Sequence, residues 1–240
     1  FVKALREATE KMPTWTDRDG NVHRIVPTSL SAGGDVGHAF YLDTGPLFLV
    51  YAGLLDADDP LMRSTLKFFR EGPNTKLFDP HGHHEQPAIL VHEISSCEPP
   101  ASFNLFHSHQ LGDRIRWLEG MYSMIAGAHS RKTFTGCETR NGITGLNGHI
   151  NIYAIKLSVI DDELNERELH LLRLVPRAWI RQGQWTRFEQ IPTLFGPVDL
   201  RFRLSDDGQT LQVQVAARFR HAPERIRLHR PPVEGLKWVE

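Results

Sequence analysis

The hydrophobic period of this chain changes once, near Leu164, and that change limits the fold more than any single motif. Before it, apolar residues recur at the three- and four-residue spacing of helices. After it, residues 168–174, 185–191, 198–204, 210–217 and 224–229 read as strands. The alternation is plainest in RFRLSDDGQTLQVQVAARFR, where Asp207-Gly208 has the composition of a hairpin turn. Five short strands predict a small antiparallel β-sandwich. The charged stretch 161–165 separates the halves, giving a helical domain over 1–161 and a β-domain over 162–240.

Within the helical half, residues 47–55, LFLVYAGLL, have no polar face, the mark of a helix buried on all sides. Asp59-Pro60 then reads as an N-cap followed by a proline at the first helical position. The next helix, 60–71, sets Leu61, Leu66, Phe68 and Phe69 against Arg63, Lys67 and Arg70, and Gly72-Pro73 stops it. The pair predicts an inner helix turned tightly into an outer one. The arrangement recurs in the short apolar segment 101–109, the turn and cap Gly112-Asp113, and an amphipathic helix over 114–128 that buries Ile115, Leu118, Tyr122 and Ile125. A third apolar helix is predicted over 149–160, and the opening residues FVKALREATEKM also read as helix.

Connections from inner to outer helices are short, and those from outer to inner are long: 73–100 and 129–148, with 31–45 before the first inner helix. In antiparallel hairpins the long loops gather on one face, beside the N-termini of the buried helices. Long loops of this kind are usually functional. Each carries acids: Asp35 and Asp43, then Glu93 and Glu98, then Glu138 in RKTFTGCETRNGITGLNG. Paired carboxylates across a cleft are the apparatus of glycoside hydrolysis, one donating a proton and the other activating water or attacking the anomeric carbon. Tyr41, Phe103, Phe134, Asn147 and His149 are suited to holding a sugar by stacking and hydrogen bonds.

Each residue also has a plainer role. Asp43 suits a helix cap, Asp35 a turn, Glu98 a solvated loop before two prolines, and Cys137 simple packing. The cluster His81-Gly-His83-His84-Glu85 does not follow the H-E-x-x-H spacing of a helical zinc site, so no metal is expected. No Gly-rich phosphate loop or serine elbow is present, and GGDVGH lacks the preceding strand of a dinucleotide site, so no cofactor is expected. The net charge of -1 and pI near 7.0 give no reason to expect nucleic acid or an anionic membrane as partner. The longest apolar run, 46–55, falls short of a bilayer span. Two cysteines make no disulfide framework and leave the compartment open.

The order of features resembles the six-hairpin, (α/α)6-barrel glycoside hydrolases, in particular the α-L-rhamnosidase-like branch. There a T-x-W-E segment, a glycine-rich stretch and S-x-N-H open an inner helix. Here Thr135-Gly136-Cys137-Glu138 is followed by Gly145-Leu146-Asn147-Gly148-His149, with cysteine for tryptophan and one inserted glycine. The segments LHLLRLVPRAWI and PTLFGPV look like the β-domain that follows such barrels. The resemblance implies a partial (α/α)6 helical toroid followed by the β-sandwich. It implies Glu138 as general base of an inverting reaction on a carbohydrate substrate, with the general acid in the half of the barrel that would precede Phe1; within this chain Asp35 or Asp43 is the alternative acid. Tyr41, Glu98, His107, Arg140, Asn147 and His149 are then the candidate substrate contacts. Since a full barrel has twelve helices and about six are expected here, it also implies that an N-terminal half or a second chain completes the barrel. Two other readings stay open. One is a carbohydrate-binding protein without catalysis. The other is a polysaccharide lyase drawing its base and neutralising group from Tyr41, His107, His149 and Arg140.

Overall fold

The structure is a computed structural model that describes residues 3–4, 12–26, 48–71, 106–127 and 148–236. Its contacts divide the chain into two compact units, Phe1–Asn151 and Ile152–Glu240.

The first unit begins with a hairpin that the helical reading of the N-terminus did not anticipate. Strands β1 (Thr14–Thr16) and β2 (Val22–Arg24) pair antiparallel, Trp15 opposite His23. Gly20 takes the left-handed conformation (φ +84°) that lets the connecting loop close. Helix α1 (Phe48–Tyr51) stops well short of Leu55. Gly53 is left-handed (φ +67°), and the Leu54 amide donates to the Leu49 carbonyl at 2.8 Å, a Schellman ending that caps the helix. Helix α2 (Pro60–Glu71) starts where Asp59-Pro60 directs it. The Asp59 carboxylate accepts the Leu61 amide at 2.8 Å. Met62 and Leu66 of α2 pack with Met12, Val26 and Val50 in the core of this unit. Thr65 links the hairpin to α2, accepting the Val26 amide at 2.9 Å.

Residues 106–111 are helical, and Asp113 caps α3 (Arg114–Gly127) by accepting the Arg116 amide at 3.1 Å. The buried side of α3 is not the predicted one. Ile115 is 71% exposed and Tyr122 44%, while Trp117 and Met121 are buried. The wide ring of Trp117 and the unbranched Met121, one turn apart, occupy the interior instead.

Helix α4 (Gly148–Val159) crosses the division between the units. Past that point, β3 (Ile160–Asp161) pairs antiparallel with β4 (Glu168–Leu171), which pairs parallel with β8 (Arg225–Leu228). A second sheet holds β5 (Thr186–Ile191), β6 (Val198–Leu204) and β7 (Leu211–Ala217) in sequential antiparallel order. Val198, Leu200, Phe202 and Leu204 of β6 point to one side and share a core with Leu169, Leu171, Val175 and Phe195. Burying side chains of this size is worth about 1.5–3 kcal/mol each. Gly208 (φ +70°) forms the β6–β7 hairpin. Gly196 (φ +132°) lies so close to the chain after β7 that an added Cβ would meet the Arg218 carbonyl oxygen at 2.5 Å.

The expected partial (α/α)6 toroid followed by an antiparallel sandwich is therefore corrected. The described residues form one four-residue helix, three helices of 12, 14 and 12 residues, the helical segment 106–111, and eight strands in three small sheets. Inner helices of a toroid must be apolar and buried all round. Here α1 is ended after one turn by Gly53, and α4 leaves Ile152 71% exposed. The sheets are not wholly antiparallel either, because β8 returns alongside β4 in the same direction. The domains expected at 1–161 and 162–240 stand beside a contact division at Asn151/Ile152.

Candidate functional site

Most residues nominated from sequence, namely Asp35, Tyr41, Asp43, Glu93, Glu98, Glu138, Arg140 and Asn147, lie outside the described residues, as do both cysteines and the cluster at 81–85. His149 lies in the first turn of α4, and its side chain is outside the described set. His107 is described. It is fully buried, and its Nε2 is 2.8 Å from the carbonyl of Ala57, to which it donates. That bond ties segment 106–111 to the α1–α2 connection, a packing role rather than a place in an open cleft.

Three polar arrangements stand out among the described residues. In the first unit, Asp17 sits at the mouth of the β1–β2 hairpin with its side chain 2% exposed. It accepts the amides of Asp19 and Asn21, both at 2.9 Å, and lies 2.7 Å from His23 Nε2, while Lys67 Nζ is 3.6 Å away. The His23 hydrogen bond, helped by Asn21 and Asp19 and opposed by burial, holds the Asp17 carboxyl well below the usual carboxylate range. Trp15 stacks on the His23 ring at 5.5 Å. The result is a rigid clamp on the hairpin.

In the second unit, Glu168 and His170 of β4 meet Arg225 and Arg227 of β8 and the adjoining His229. Arg227 grips Glu168 with two nitrogens, at 2.5 and 3.0 Å, and this pairing draws the Glu168 carboxyl down. His170 Nδ1 and His229 Nε2 are 2.8 Å apart, and the two rings stack at 5.1 Å. Burial, more than any neighbouring charge, pushes both imidazoles down in pKa. The pair is a neutral hydrogen bond across two strands.

The third arrangement is the outer side of β5–β6–β7. Alternation along β6 turns Asp199, Arg201 and Arg203 away from the core. Arg187 of β5 lies directly opposite Arg201, and Gln214 of β7 completes the row. One step before β5, Trp185 lies against both guanidinium groups, at 5.0 Å from Arg201 and 4.8 Å from Arg203. Gln214 accepts from Arg201 Nε at 2.5 Å and Gln212 from Arg203 Nε at 2.8 Å. An open groove of about 430 Å³ passes over Arg187, Arg201 and Gln214, with Glu189 and Asp199 also in its wall. Such a surface can stack a flat ring, donate hydrogen bonds and hold an anion.

No family model, curated protein or solved structure matches this chain. Its functional reading therefore rests on its own residues. Among those described, no group of three or more His, Cys, Asp or Glu could hold a metal ion, and no helix is long and apolar enough to cross a membrane. The Arg–Trp–Gln face was missed in the sequence, although its signal was there. In W-T-R and R-F-R every outward position of the strand period is aromatic or cationic.

Proposed function

We propose that this chain acts on carbohydrate as a glycoside hydrolase, with Glu138 as the base that activates water. The observation that supports it is the order Thr135-x-x-Glu138, glycine-rich stretch, Asn147-x-His149, leading into a helix that starts at Gly148. That start sets His149 in the first turn, where backbone N–H groups suit a polar ligand. Carbohydrate chemistry needs such a place beside a carboxylate, with a second acid across the sugar to protonate the leaving oxygen. Asp35 and Asp43 are the candidates for that acid in this chain. A separation of roughly 6.5–9.5 Å from Glu138 would accompany inversion and roughly 5–5.5 Å retention.

The test is Glu138→Gln in the intact enzyme, assayed by reducing-sugar release. A general base contributes about 10²–10⁴ in rate, so turnover should fall by that factor with the thermal midpoint unchanged. Near-wild-type turnover removes Glu138 from the mechanism.

A second reading is carbohydrate binding without hydrolysis. It is favoured by the exposed face of β5–β6–β7, where Trp185, the arginines and the glutamine amides form a sugar-compatible surface. Glycan retention by the wild type with no hydrolysis of any glycan offered would select this reading.

A further inference from the structure

Cross-strand neighbours of like charge destabilise a sheet, yet Arg187 and Arg201 are paired in register at the centre of the β5–β6–β7 outer face. Among the described residues neither they nor Arg203 forms an ion pair with any Asp or Glu. Other arginines of the same unit do find carboxylates: Arg173 meets Asp161, Arg227 meets Glu168, and Arg167 meets Glu224. Among the described residues Arg177, Arg181, Arg218, Arg220 and Arg230 also form no ion pair but lie outside the strands, so the sheet face is set apart by having two such arginines in register on adjacent strands.

Arg201 and Arg203 are also held in orientation. Gln214 and Gln212 engage the Nε atoms of Arg201 and Arg203, and Trp185 holds both planes from the side. Fixing Nε this way leaves the two terminal nitrogens of Arg201 as a fork that matches a carboxylate. Each glutamine uses its carbonyl oxygen in the process, which leaves its N–H₂ group to donate to hydroxyls. Adjacent strands are spaced by about 4.8 Å, so the row Arg187–Arg201–Gln214 spans roughly 10 Å. That is room for a cation pair beside a hydroxyl-reading amide.

We propose that this face binds an acidic polysaccharide bearing uronate carboxylates. Arg187 and Arg201 contact the carboxylates, Trp185 and Gln214 hold Arg201 in place, and the groove seats the chain. The ligand class rests on the carbohydrate reading of the protein but not on hydrolysis at Glu138. Nucleic acid fits less well. A nucleic-acid strand carries a phosphate at every nucleotide, and Glu189 and Asp199 in the groove wall would face that unbroken run of charge. A polyuronate has one carboxylate per acidic sugar, with neutral hydroxyls between.

The experiment is affinity electrophoresis of the full chain in native gels containing polygalacturonate, a neutral glucan, or single-stranded DNA. Polygalacturonate should retard the wild type and the other two should not. The double variant Arg187→Gln/Arg201→Gln should lose at least tenfold in affinity with an unchanged circular dichroism spectrum and thermal midpoint. Should that variant fail to fold, Arg201→Lys tests the same point, because it keeps the charge and removes the fork; it should lose several-fold. Glu138→Gln should bind like the wild type whether or not it hydrolyses anything, which separates this proposal from the catalytic one. Equal retardation by the neutral glucan overturns the acidic-ligand proposal while keeping carbohydrate binding. Retardation by DNA that the double variant abolishes reassigns the face to nucleic acid. Binding of polygalacturonate that both variants retain, or no retardation by any of the three, overturns it outright.

Discussion

Each unit of this protein buries an aspartate beside a chain reversal, and the two aspartates find their partners over very different distances. Asp17 is clamped by Asp19, Asn21 and His23, all within six residues, with Lys67 approaching from α2. Asp162, with its side chain 1% exposed, binds Lys156 Nζ of α4 at 2.7 Å and accepts the amide of Leu194, 32 residues on, at 2.7 Å. Its neighbour Asp161 is buried too, capping the next turn through the amides of Glu163 and Leu164 and facing Arg173 at 3.4 Å. Asp17 therefore secures a local turn. Asp162 joins a helix to the distant β5–β6 loop, and that loop is already pressed against the chain after β7 at Gly196.

The largest effect should follow from breaking the long-range case. Asp162→Ala leaves Lys156, itself mostly buried, without its counter-charge and the Leu194 amide without an acceptor. Removing one partner of a buried pair costs about 3–5 kcal/mol. The measurement is urea unfolding followed by tryptophan fluorescence, to which Trp179 and Trp185 of this unit contribute; the midpoint should drop with m unchanged. A loss below about 1 kcal/mol would mean that Lys156 re-solvates freely and that the core alone holds α4 to this loop.

The same contrast between local and distant partners explains what could be read from the sequence. Strands β4–β8 lie on the five segments that alternate, Gly208 turns where Asp-Gly directs it, and Asp59 and Asp113 cap α2 and α3, because all of these depend on neighbours in the chain. The β1–β2 hairpin has a local signal of the same kind, Asp19-Gly20 set between T-W-T and V-H-R. Long-range outcomes were not legible. The charged stretch 161–165 reads as a boundary between two domains, yet its two aspartates are buried by partners elsewhere in the unit. The apolar run 47–55 reads as one buried helix, yet Gly53 ends it and the toroid built on it. Nothing local orders β8 beside β4 or turns Trp117 inward in place of Ile115. Of the candidate site, His107 was singled out as a cleft residue, and its bond to Ala57, 50 residues away, was invisible in the sequence.

A second prediction breaks the local clamp. Because the folded Asp17 carboxyl is held below its ordinary value, chiefly by His23, it contributes stability that is present above the unfolded value of about 3.9. That contribution is lost as pH falls through the lower folded value. Thermal midpoints recorded from about pH 6 to pH 2 should fall in the wild type below about pH 4. In Asp17→Asn this part of the acid dependence should vanish, and the midpoint above that range should be lower. A variant with the wild-type acid profile would show that the hairpin is not held by this carboxylate.

The smallest effect tests a distant pair that carries no charge. His170 and His229 are 59 residues apart in sequence and share one hydrogen bond. Burial dominates for both rings; His170 further opposes protonation of His229, Arg173 and Arg227 oppose that of both, Asp161 favours both, and Glu168 favours His170. The folded state thus holds fewer protons here than the unfolded chain, whose imidazoles titrate near 6.5. Stability should therefore be full above about pH 6.5 and decline as pH falls through the lower folded values. His229→Gln keeps a hydrogen-bonding partner for His170 and removes one titrating group. Its stability between about pH 6.5 and 5 should decline less steeply than the wild type's, by the uptake of one proton. An unchanged slope would show that His229 titrates alike in the folded and unfolded chain, and a steeper decline in the variant would show that it is charged in the fold, an ionic partner of Asp161 closer in kind to Lys156 beside Asp162.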